Sequence, residues 1–463
     1  MKAIYIITFY IVRLLALTFL FTSCDSFVDV ALPDSQMTKE TVFEDYATTN
    51  AALTDIYAKI RDRGVLTGNN TGLSNQLGHY ADELSPYGTP SNTSYNFYNN
   101  ALLPTNATIA TYWNTSYNHI YAANSIIEAI EKNENISEEN KNQLLGESLF
   151  IRALLHFYLV NLYGDMPYIT TTDYRIKSKV TRIPVSEVYK KVISDLETAI
   201  TLLPVKYSPS DRSIPNRYAA KALLARVYLY NQSYAEAANE ASAILNENTL
   251  FVLTPKLNEV FLINSKETIW QLQSPTAGQN TKEGALFILT AGPPQLVALN
   301  TNLVNSFDPA DGRKVNWIKT VSKGSLSWHY AYKYKERTFT SVSLEYSVVF
   351  RLAEQYLIRA EARAKQGDLI GAKEDLNAVR KRAGLQETTA VGKEDILTAI
   401  LEEKRWEFFT EFGNRFFDLK RSNQLDAVLS PIKPGWNTTD ALFPIPQNEL
   451  NANSLLGIQN PGY

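Results

Sequence analysis

Two sets of charged side chains are the first places to look for chemistry in this 463-residue sequence. Arg351, Glu354, Arg359 and Glu361 recur at helical spacing, and Arg405, Glu407, Glu411, Arg415 and Asp418 form a second set nearer the C-terminus. Acids and bases gathered on one helical face suit proton transfer, but on helices that pack in pairs such intervals read as ion pairs or solvated charge. Asp82-Glu83 is an acidic pair in an aromatic stretch. Glycoside hydrolysis requires two carboxylates across a sugar, about 5–10 Å apart, and no spacing here places two in that way. The pair reads as a contact to sugar hydroxyls or as a turn or cap. His79, His119, His156 and His329 lack the short intervals of metal ligands. Asp308 to Gly312 looks like a fragment of a calcium loop without its downstream glutamate, so it reads as a turn. A glycine-rich phosphate loop and a nucleophile elbow are both missing. A binding protein is expected, with no catalytic residue and no cofactor.

Binding has better material. Aromatic faces stack on the apolar faces of sugar rings, while Asn, Asp and Arg groups bond the hydroxyls. One stretch offers His79, Tyr80, Asp82, Tyr87, Asn92, Tyr95, Phe97, Tyr98 and Asn99; a second offers Trp317, Trp328, Tyr330, Tyr332 and Tyr334. Tyr95, Tyr98, Trp317 and Trp328 are the expected stacking platforms, with Asp82 and Asn92 as polar contacts. Trp113, Trp270, Trp406 and Trp436 read as packed.

The elements that must position these residues are mainly α-helical. Apolar residues recur at three- and four-residue spacing over 46–61, 113–132, 138–163, 185–203, 217–230 and 235–246, then over 350–366, 369–382, 393–412 and 415–422. Two helical hairpins share one internal pattern. Ala225, Ala237, Ala241 and Ile244 are spaced 12, 4 and 3, and so are Ala360, Ala372, Leu376 and Val379. Small residues first and apolar residues later is the logic of tetratricopeptide-like hairpins, whose helices approach closely. Two units are too few for a free solenoid, so other helices must cover their faces. Insertions of different character, 64–111 and 249–346, are loop-rich and aromatic; the second carries strand-like runs at 267–272 and 330–334. Insertions this long in a helical scaffold usually carry function.

At the N-terminus, residues 3–21 are apolar apart from Thr8, Arg13 and Thr18, and lead to Thr22-Ser23-Cys24. Residues 1–23 read as a signal peptide; the other reading is a retained anchor, against which Arg13 interrupts the span. Cys24 is the single cysteine of the chain. It has no intramolecular partner, and its place at the cleavage point resembles a bacterial lipobox, where the thiol is acylated. Several acyl chains anchor stably, at about 0.8 kcal/mol per buried methylene. Residues 24–41 are then a tether and 42–463 a single domain. The formal charge of −3 becomes −5 once Lys2 and Arg13 leave with the signal, which disfavours nucleic acid as a partner.

Several ordered segments resemble the SusD/RagB family of outer-membrane nutrient-binding lipoproteins. They are Glu147 to Ala153 continuing through His156-Phe157-Tyr158 to Leu162-Tyr163-Gly164-Asp165-Met166-Pro167, Ala219 to Tyr228, Arg351-Leu352-Ala353-Glu354 with Leu357 to Ala362, Leu376 to Gly384, Pro444-Ile445-Pro446, and Gln459 to Tyr463. The resemblance implies a helical scaffold at the cell surface that captures oligosaccharide and delivers it to a SusC-like, TonB-dependent outer-membrane transporter. Asp25 and Asp29 resemble the surface-export signal of such lipoproteins. A peptide or other non-glycan nutrient, or a purely structural adaptor of the transporter, are the alternatives the sequence leaves open.

Overall fold

The computed structural model describes residues 1–2, 4–9, 42–177 and 179–463. Cys24, the tether 24–41, Asp25, Asp29 and most of the expected signal peptide lie outside the described residues. The fold is mainly α, as expected. From the N-terminal side come α1 (Tyr46–Asp62), α2 (Leu73–Tyr80), α3 (Ser94–Tyr98), α4 (Ala107–Ile130), α5 (Glu138–Tyr163) and α6 (Val185–Leu202). The two hairpins follow as α7 (Arg217–Tyr230) with α8 (Tyr234–Leu245), and α9 (Leu352–Gln366) with α10 (Leu369–Arg382); α11 (Lys393–Phe408) and α12 (Asn414–Arg421) come after them.

Local chemistry explains many of these boundaries. The side chains of Asp45, Asn106, Ser137 and Asn216 accept bonds from the exposed first-turn amides of α1, α4, α5 and α7. The 26-residue α5 has the length and apolarity of a membrane span. It is the central core helix instead, with Phe150, Ile151, Leu154 and Leu159 at zero exposure.

The shared pattern of the two hairpins marks the surfaces that touch. All eight of its residues have zero exposure. Ala225, Ala237 and Ala241 pack with Ile358 and Ala362, so α8 lies against α9. On the other side, Ala360, Ala372, Leu376 and Val379 pack with Ile396 and Ile400 of α11. Methyl-sized side chains let the helices approach closely, and the buried apolar area supplies the stabilisation.

Strands are few and short. They are β1 (Leu84–Pro86), β2 (Thr268–Leu272), β3 (Val297–Leu299), β4 (Ile318–Lys323), β5 (Leu326–Ala331) and β6 (Ser347–Arg351), paired antiparallel as β1–β3, β2–β6 and β4–β5. β6 runs directly into α9, which fastens the second insertion to the scaffold.

Three expectations shift. The helix expected over 393–412 ends at Phe408: Thr410 and Phe412 take positive φ, and their amides bond Glu83 and the Ser74 hydroxyl. The stretch 64–111 is less loop-like than expected, because α2 lies within it and is buried on every side, which erases any amphipathic period. The strand expected at 330–334 pairs as 326–331, with its register set by the turn at Gly324, where φ is +60°.

Candidate functional site

The charged clusters are the structural joints of the molecule. Arg351 bonds Glu267, Glu407 and Glu411, and Arg382 bonds Glu267 and Glu407. Arg313 meets Asp311, Glu403 and Glu407, and Lys333 meets Glu411 at 2.5 Å. This network ties residues 267, 311, 313 and 333 of the second insertion to the end of β6, to α10 and to α11. Arg226–Glu354, Arg359–Asp375 and Arg421–Glu361 are pairs between helices. Each removes two charges from water and is held by mutual pairing.

Two expected ligand contacts, Asp82 and Trp317, belong to the same interior instead. Asp82 is buried, 2.8 Å from Arg405 and 2.9 Å from Arg415. Burial opposes its charge, but the two arginines prevail and hold its carboxyl below the usual range. Its neighbour Glu83 has no such partners, and burial beside Asp82 pushes it up to about 8. Trp317 has zero exposure; its indole N–H donates to the Leu257 carbonyl at 2.9 Å, and Lys333, Arg351 and Arg382 surround its ring. A tryptophan enclosed in this way has no face to offer a sugar. Tyr80 and Phe97 are likewise core, packed edge-on with Phe443, and Tyr334 is buried with its hydroxyl bonded to the Val348 amide.

Tyr95, Tyr98 and Trp328 behave differently. All three are only partly buried, and the structure brings them together around Tyr87. β1 pairs with β3 from Leu84↔Leu299 to Pro86↔Val297, and the Tyr87 amide extends the ladder to the Leu296 carbonyl at 2.8 Å. This places Tyr87 at the seam between the two insertions. Trp328 reaches the seam from β5, opposite Val321, and its indole stands beside the Tyr87 hydroxyl. The ring lies so close over Gly292 that a Cβ there would be 2.1 Å from Cζ3, so only glycine fits under it. Tyr95 and Tyr98 come from the short α3, and both feel the Tyr87 hydroxyl; burial first, then these neighbours, raise its phenol above the ordinary range.

Asn92 has a different role from the one expected. Its amide donates to the carbonyls of Tyr87 and Leu296, at 3.0 and 3.3 Å, and its oxygen accepts the Ser94 amide. It staples the loop that carries the tyrosines. Beneath Tyr98 lies Lys433, its ammonium 4.1 Å from the ring centroid and 2.5 Å from the His79 carbonyl. Burial draws Lys433 down to about 7, with Asp82 opposing. The cation backs the inner face of the ring. Nothing around Lys433 in the sequence marks it, whereas Gly292 stands in a recognisable Gly-Pro-Pro turn. Tyr330 and Tyr332 flank the hairpin edge-on at 6.0 Å, with Lys335 4.3 Å from the Tyr332 ring. Among the described residues, no three His, Cys, Asp or Glu side chains converge on a point where they could hold a metal.

An α-helical scaffold whose two insertions meet in a half-exposed aromatic seam has clear relatives. The family described as "starch-binding associating with outer membrane" matches residues 26–229, and the SusD family matches 300–463. SusD-like protein P2 of Formosa agariphila is 27% identical over 418 residues, covering 77% of this chain and 81% of its own length. A SusD superfamily crystal structure from Bacteroides vulgatus superposes with a TM-score of 0.79 at 23% identity, over 91% of this chain and all of that one. A laminarin-binding SusD-like protein superposes at 0.76 with 25% identity, over 90% and 99% of the two chains. The chain belongs to the SusD/RagB family.

Proposed function

We propose that the protein binds oligosaccharide across the seam formed by Tyr87, Tyr95, Tyr98 and Trp328, and passes it to a TonB-dependent outer-membrane transporter while tethered through acylated Cys24. The convergence of four partly exposed aromatic rings from two separate insertions carries this reading. Core aromatics lose water on every side, whereas these are only partly buried; tyrosine hydroxyls lie among them, and Lys433 backs Tyr98 from within. The laminarin-binding relative supports a glycan as the class of ligand. The outer-membrane description of the matched family supports the location. Tethering beside a partner raises effective concentration, so modest affinity suffices for delivery.

Calorimetry against laminarin, starch oligosaccharides and a peptide panel tests the proposal. A glycan should bind the intact protein, and Trp328→Ala should weaken it about tenfold, equivalent to about 1.4 kcal/mol. Peptide binding without glycan binding would replace the ligand class. Glycan binding indifferent to Trp328→Ala and Tyr98→Ala would remove the site.

A further inference from the structure

A cavity of about 550 Å³ opens far along the chain from both insertions, between the C-terminal ends of α5, α7 and α12 and the tail at 458–461. It contains none of the seam residues. Its polar lining is unusual in its charge pairing. Lys420 is half-buried on α12; its ammonium donates to the Asn161 carbonyl at 2.5 Å and lies within 4 Å of no carboxylate among the described residues. Its neighbour Arg421 does have acids, Glu361 and Asp418. Arg182, which also lines the cavity, bonds the Asn460 side-chain oxygen at 3.0 Å and the Ile458 carbonyl at 2.7 Å, again with no acid among the described residues. Arg212 and Lys433 are likewise held by carbonyls without an acid, but each stands alone, whereas this cavity brings two such cations to one place. At the rim, Gln232 and Asn423 are exposed and their side-chain amides bond nothing. Both sit in left-handed backbone at the ends of their helices, φ 62° and 56°.

We propose that this cavity is a second binding site, for a small oxyanion: a carboxylate or sulfate group, free or carried on a sugar. The anion would supply the counter-charge that Lys420 and Arg182 lack, and the two amides would bond its remaining oxygens. Asp165 also lines the cavity; its carboxylate accepts the Val185 amide at 3.0 Å, which directs it to the start of α6. The other titratable groups that face Lys420 are Tyr189 and Tyr230, both kept neutral by burial, and the paired Arg421. Burial alone brings Lys420 to about 7, with no acid to restore it. Anion affinity should therefore fall as pH rises from 6 to 8.

Calorimetry of the full chain at pH 6 with sodium sulfate and sodium glucuronate, and with glucose as neutral control, tests the site. One sulfate or one glucuronate per chain should bind, and glucose should not compete. Sulfate alone would assign a sulfate site and glucuronate alone a carboxylate site. Lys420→Met should weaken binding about tenfold or more. If that variant does not fold, Arg182→Gln decides with the same expected loss. Trp328→Ala, a change in the separate seam, should leave anion binding intact whatever it does to glycan. Absence of binding by either anion, or affinity unchanged in Lys420→Met and Arg182→Gln, would overturn the proposal.

Discussion

The hairpin scaffold and the aromatic seam use the same residue types to opposite ends. At the buried joint between the hairpin scaffold and the second insertion, Trp317 is sealed under three cations and the acids Glu267, Glu407 and Glu411 are each paired. In the seam, Trp328 is only partly buried, and its indole stands beside the Tyr87 hydroxyl. What separates them is enclosure. A side chain surrounded by fixed partners stabilises one fold, whereas a ring supported from one side can exchange water for a ligand.

The comparison breaks most decisively at Arg351. Replacing it with Met strands Glu267, Glu407 and Glu411 beside fewer cations, and the loss should be about 3–5 kcal/mol in urea unfolding, the range for a buried pair deprived of one partner. A loss under about 1 kcal/mol would mean the joint between insertion and scaffold is not held by this network. The two tryptophans sharpen the contrast directly. Trp317→Ala should cost about 3–5 kcal/mol through the cavity it leaves, while Trp328→Ala should cost about 1 kcal/mol and carry its effect in glycan affinity instead. Equal destabilisation by the two changes would dissolve the distinction between core and seam.

A smaller effect separates the neighbours Asp82 and Glu83. Glu83 has a folded-state pKa of about 8, raised above its unfolded value by burial, so between the two values the folded state holds the extra proton. Stability then falls as pH rises through that window, by up to about 1.4 kcal/mol per unit. Glu147 and Glu345, both pushed up to about 7 by burial, contribute slopes of the same sign. Glu83→Gln should flatten part of the slope measured by denaturation from pH 5 to 8. An unchanged slope would show that Glu83 is already ionised in the folded protein.

Which parts of this design the sequence reveals follows from the range of the forces. The 12, 4, 3 pattern of the hairpins is legible because helix packing repeats at helical spacing, and all eight residues of that pattern are buried. Trp317 and Trp328 stand 11 residues apart in one aromatic stretch, and nothing local says which faces inward. That is decided by distant partners: Leu257, Arg351 and Arg382 for one, Tyr87 and Gly292 for the other. The place of Asp82 is decided in the same way, since Arg405 and Arg415 lie more than 300 residues away in sequence. Lys433 under Tyr98 and the unmatched Lys420 are invisible until the chain is folded, because a lysine's counter-charge is a property of three-dimensional neighbours.

Cys24 extends the contrast to a residue expected to affect neither region. It stands 18 positions ahead of residue 42, where the described fold begins, so Cys24→Ser should leave the urea midpoint and glycan affinity of the purified protein unchanged. Its effect should fall entirely on location, because acyl chains at that thiol would supply the membrane affinity. Fractionation of cells producing the variant should find it released from the membrane. Retention there with residues 1–23 still attached would mean the N-terminal apolar segment itself is the anchor, and delivery to a transporter would then depend on a span rather than on a lipid.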